Sequence, residues 1–166
     1  MFALKPLSHD SVAGALSKAE RYRLLNEPAE AASICHDILE IEPENQQALI
    51  MLVLALSDQI REDPQAFVNA LATASRIHSA YDRAYYSGII WERRAKARYQ
   101  DGGRSLQHTV YEWMTKALRL FEQAERLRTP GNDDSILRWN TCVRFLARHP
   151  ELTLRSEEAS EPILSE

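Results

Sequence analysis

Five histidines and two cysteines are the side chains in this 166-residue chain best suited to hold a metal or to act as nucleophiles. His9, His36, His78, His108 and His149 are scattered, and no two stand four apart as a helical zinc pair would. Cys35 and His36 are adjacent, so on a helix their side chains diverge. The histidines therefore read as solvent-facing or helix-end residues. Cys35 and Cys142 each sit among helix-spaced apolar residues. They read as two buried free thiols in a reducing compartment, with a disulfide or redox pair as the alternative. Gly102-Gly103 lacks the Lys-Ser/Thr that follows a phosphate loop and reads as a helix stop. Asp133-Asp134 is placed to cap a helix. No set of residues supplies nucleophile, base and charge stabiliser, so no catalytic residue, metal or cofactor is expected.

A basic run is the second candidate for chemistry. Arg93, Arg94, Lys96, Arg98 and Arg104 are interleaved with Trp91 and Tyr99, types that can hold phosphate or an acidic peptide. On a helix, however, positions 93, 94, 96 and 98 point in different directions, and the aromatics fit a core stripe. The formal net charge of -4 gives no overall field toward nucleic acid. An ordinary solvated face and an acidic protein partner are the two readings of this basic patch; nucleic acid is not expected.

The elements that must position these residues are helices. Hydrophobic residues make up 45% and charged residues 27%, ordinary globular usage for one domain. Only 5 Gly and 7 Pro are present, few for a chain of tight β-turns. Helical periodicity runs over seven segments, about 10–25, 28–41, 44–61, 64–79, 81–100, 105–128 and 133–148. Glu27-Pro28 and Asp63-Pro64 each open a helix, since proline suits the first turn, and they lie 36 residues apart. Ser105 and the 133–135 run offer capping oxygens. Glu112 with Lys116, and Glu122 with Arg126, are spaced as i,i+4 pairs. Beyond Pro150 the periodicity is lost, and residues 156–166 hold four glutamates, so 151–166 reads as an acidic flexible tail.

These residues resemble the tetratricopeptide repeat, a 34-residue helical hairpin. Ala19 and Tyr22, then Ala31, Cys35, Ile38 and Pro43, give the first unit, with Ala19 and Ala31 twelve residues apart as in the family. Leu49, Leu52, Val53 and Leu56, followed by Ala66, Ala70 and Ala74, give a second. Gly88 and Trp91, then Ala117, Phe121, Ala124 and Pro130, give a third, stretched because Gly88 and Ala117 are 29 residues apart. The resemblance implies an all-α fold over 1–150, with hairpins at about 10–43, 44–79 and 81–128, a capping helix at 133–148, and a right-handed superhelix. It also implies a concave face built from first helices, here Leu16, Glu20, Arg23, Gln47, Ile50, Leu54, Asp58, Tyr85, Ile89 and Glu92. Either Ile50, Leu54, Tyr85 and Ile89 line an apolar groove, or they are core, buried by an atypical third hairpin or by the N-terminal segment. The family's lysine- and asparagine-based clamp for carboxylate tails is not matched: four residues beyond Lys18 stands Tyr22.

The functional expectation is a non-catalytic adaptor holding an unidentified protein or peptide partner in that groove. The alternative is a homodimerising structural subunit joined through the third and sixth helices. The longest apolar run, Ala48–Leu56, is nine residues, against about 20 needed to span a bilayer, so no membrane insertion is expected. Met1–Pro6 lacks a charged leader followed by an apolar stretch, and a cytoplasmic protein is expected.

Overall fold

The computed structural model describes residues 2–102 and 106–152, and these form helices with no strand. A 3-10 turn, His9–Ser11, leads into α1 (Val12–Leu24). There follow α2 (Pro28–Ile41), α3 (Gln46–Asp58), α4 (Pro64–Ala74), α5 (Ala80–Asp101), α6 (Gln107–Leu127) and α7 (Asp134–Arg148). Pro28 and Pro64 occupy first-turn positions of α2 and α4, where the missing N–H costs nothing. Side chains close three other orphan donors at helix starts. Asn45 Oδ1 accepts from the Ala48 N–H at 2.9 Å, Asp63 Oδ1 from Gln65 at 2.9 Å, and Ser79 Oγ from Asp82 at 3.1 Å. Gly102, at φ 78°, ends α5 in a conformation costly to any residue with a Cβ.

Extensive contacts run between helices one or two places apart: α1 on α2, α2 on α3, α3 on α4, α5 on α6 and α6 on α7, with α1 on α3 and α3 on α5. The main core fills α1 to α5 with Ala19, Ala31, Cys35, Leu49, Leu52, Val53, Phe67, Ala70, Ile77 and Ile90. A second core joins α5, α6 and α7 through Ile89, Ala95, Val110, Met114, Ala117, Phe121 and Cys142. Gly88 is what lets α5 and α6 approach, because a Cβ there would stand 2.6 Å from Phe121 Cε1. Among the described residues, no helix is long and apolar enough to cross a membrane.

Three local expectations change. Ser105 lies outside the described residues, and Asp133, at the N-cap of α7, makes no side-chain cap bond but pairs with Arg128 at 2.6 Å, while Asn132 Oδ1 just before it accepts from the Asp134 N–H at 3.2 Å. Glu122 and Arg126 pair at 3.2 Å, but Glu112 pairs with His108, and Lys116 lies 4.0 Å over the Trp91 ring. The folded chain also runs past 150. Leu152 is buried in the second core, and its N–H donates to the His149 carbonyl at 2.9 Å, so the first two residues of the expected tail belong to the fold. Residues 153–166 lie outside the described residues.

Candidate functional site

Among the described residues, a groove of about 660 Å³ lies between α1 and α3. Its floor is Val12, Leu16, Ile50 and Met51, and its rim is His9, Asp10, Ser17, Glu20, Asn45 and Gln47. Helical spacing explains the pairing: 13, 16, 17 and 20 recur along one face of α1, and 47, 50 and 51 along one face of α3. Leu16, Ile50 and Met51 are half-buried, so apolar surface stays open to a ligand while their stems pack on core residues. Four of the ten expected groove residues, Leu16, Glu20, Gln47 and Ile50, are brought together here. Ala13, Ser17 and Met51 share the same helix faces, and His9, Asp10, Val12 and Asn45 complete the lining.

The other six lie elsewhere, in ion-pair clusters or in the second core. Asp58, at the end of α3, accepts from Arg23 Nε of α1 at 2.7 Å and pairs with Arg93 Nη1 of α5 at 2.7 Å. Arg93 also donates to the Leu54 carbonyl at 3.0 Å and to the Ser57 hydroxyl. Burial lowers the Arg93 pKa from its ordinary value, with the Asp58 carboxylate opposing the shift. These three charges therefore tie α1, α3 and α5 together instead of waiting for a ligand. Glu92 is 1% exposed; its carboxylate meets Lys96 Nζ at 2.5 Å and Arg138 Nη1 of α7 at 3.5 Å. For Arg138, burial pulls the pKa down, but the Glu92 carboxylate and Tyr85 outweigh it and the net shift is upward.

Ile89 is 2% exposed and Glu92 is buried beneath α7, so neither lines an open groove. Leu54 and Tyr85 are half-buried against the second core, with the Tyr85 ring 6.0 Å from that of Phe121. At the α5 end of the expected face Ile89 and Glu92 are thus core, while at the α1–α3 end Leu16 and Ile50 line an open depression. No sequence spacing signals Arg138, because its partner Glu92 is 46 residues away.

The basic run does not form one patch. Arg93 and Lys96 are consumed by Asp58 and Glu92. Arg94 Cζ lies 3.6 Å from the Phe67 ring centre and 4.2 Å from that of Trp113. Arg98 stands 4.0 Å from Asp101, and Arg104 lies outside the described residues. Tyr99, His149 and Glu151 form a hydrogen-bonded trio at 2.8 and 3.1 Å that fastens the segment after α7 onto α5. Cys35 and Cys142 are free thiols in separate cores, and burial pushes both pKa values up to about 12, so neither is a ready nucleophile. Among the described residues, no group of three or more His, Cys, Asp or Glu is placed to hold a metal. Comparison with protein-family models, curated proteins and solved structures returned no match.

Proposed function

We propose that this chain is a non-catalytic, tetratricopeptide-like adaptor that holds a peptide segment of a protein partner in the α1–α3 groove. The observation that carries the reading is the groove itself, whose half-buried apolar floor of Leu16, Ile50 and Met51 is ringed by polar side chains. Such a lining suits an amphipathic helix or an extended peptide, with apolar anchors below and hydrogen bonds at the rim. The order of helix contacts supports a stack of paired helices, α1 with α2, α3 with α4 and α5 with α6, in which α1, α3 and α5 touch in succession. In this reading α7 acts as the cap and closes the α5 end of a right-handed superhelix, leaving the α1–α3 end for the ligand. Two free buried thiols accord with a reducing, cytoplasmic setting.

A self-associating subunit would need the apolar stripes of α3 and α6 to be spare. Leu49, Leu52, Val53 and Leu56, and Val110, Met114, Ala117, Phe121 and Ala124, are instead buried within the chain. The adaptor is therefore the better-supported choice; a dimer by light scattering that does not dissociate on dilution would reverse it. The direct test is affinity capture from the native cell with the wild type and with Leu16→Asp/Ile50→Asp. Partners retained by the wild type and lost from the double variant are expected. An unchanged partner set, with the variant still folded by circular dichroism, would sink the proposal.

A further inference from the structure

A second cleft, of about 340 Å³, opens between α4, α5 and α6 and shares no lining residue with the α1–α3 groove. Its charged residues are Arg61, Arg94, Arg98 and Asp101. Arg61 Nε and Arg98 Nη1 share the single Asp101 carboxylate, at 3.7 and 4.0 Å, both too long for a hydrogen bond. Arg94 rests against Phe67 and Trp113, with Trp91 at 5.6 Å, and among the described residues it makes no ion pair and no hydrogen bond. The lining therefore carries three guanidinium groups against one carboxylate. Stacking uses the flat faces of a guanidinium and leaves its N–H edge, the fork that fits a carboxylate with two parallel bonds. Burial lowers the Arg94 pKa, which marks a cation partly stripped of water without a counter-ion.

We propose that the Arg61–Arg94–Arg98 cleft binds a glutamate or aspartate side chain of an acidic peptide, with Arg94 as the anchor. The stacked rings hold Arg94 in one place, so little rotamer freedom is lost when the carboxylate arrives. Arg61 and Arg98 then supply the surplus charge for a neighbouring acidic residue. A peptide is favoured over single-stranded nucleic acid, because the guanidinium already lies against Phe67 and Trp113 where a base would stack, and because the whole chain carries a net charge of -4.

Trp113 in the wall makes the cleft its own reporter. The experiment titrates the full chain with a blocked hexaglutamate peptide and follows tryptophan fluorescence. Hexathymidylate and potassium phosphate at matched ionic strength are run in parallel. A saturable change with hexaglutamate is expected, weakened by added salt and by about tenfold or more in Arg94→Gln. The double variant Arg61→Gln/Arg98→Gln leaves the Arg94 stack untouched and is expected to weaken binding as well, so a folding defect in Arg94→Gln does not decide the matter. Leu16→Asp/Ile50→Asp is expected to bind hexaglutamate normally, which separates this site from the α1–α3 groove. No saturable change, equal binding by wild type and both arginine variants, or an equal response to hexathymidylate or phosphate would each overturn the proposal.

Discussion

The two halves of the chain solve the same packing problem in opposite ways. In α1–α4 the helices are 11–14 residues long, and the buried surface is rich in alanine: Ala19, Ala31, Ala32, Ala48, Ala55, Ala66, Ala70 and Ala74. Small residues let short helices approach closely, and the α1–α3 face stays open as a groove. In α5 and α6 the helices are 22 and 21 residues long, and the contacts are aromatic and ionic: Tyr85 on Phe121, Trp91 on Trp113, Tyr99 on Phe145, and Glu92 with Arg138. The extra length leaves apolar surface that α7 and Leu152 must cover, and covering it buries the face of α5 that would otherwise continue the groove. Helix length thus decides which part of the α1–α3–α5 face stays uncovered.

That contrast can be broken most severely at Glu92. Glu92→Ala leaves Lys96 and Arg138, each about a third exposed, without their shared carboxylate and is expected to cost about 2–3 kcal/mol in chemical denaturation. A loss below about 1 kcal/mol would mean that apolar contacts alone hold α7 in place. Gly88→Ala tests the close approach of α5 and α6. The added methyl meets Phe121, and overpacking of about 1–3 kcal/mol outweighs the roughly 1 kcal/mol gained in helix propensity, so a net loss is expected in thermal melts. In the N-terminal half, Asn45→Ala removes a cap and is expected to cost about 1 kcal/mol. Gly14→Ala, on α1 with nothing within 4 Å of the added methyl, should stabilise by about 0.5–1 kcal/mol. The opposite signs at Gly88, inside α5, and Gly14, in the first turn of α1, give the sharpest comparison, since both are helical glycines with different surroundings.

The helices were legible in the sequence because their signals are local. Pro28 and Pro64, the Asp63 start of α4, and the 3.6-residue stripes each depend on a few neighbouring residues. The α1–α3 groove was legible for the same reason, through Leu16, Glu20, Gln47 and Ile50. The fate of the α5 face was not. Ile89 and Glu92 have the same local pattern whether they face water or α7, and only the return of Arg138 and Cys142 from about fifty residues away decides it. The basic run misled in the same manner: Arg93 finds its carboxylate on α3, while Arg94 finds aromatic rings on α4 and α6. The burial of Leu152, two residues past Pro150, likewise has no local signature.

Because the extensive contacts join only helices one or two places apart, the chain has a low contact order, and rapid folding is expected for such a topology. The consequence during synthesis is unequal for the two halves. Most of the core around Leu49, Val53 and Ala70 can close once α4 has emerged, with Ile90 of α5 arriving soon after. The core of α5, α6 and α7 is complete only when Cys142 and finally Leu152 have emerged. The C-terminal half is therefore the part of the nascent chain whose core closes last.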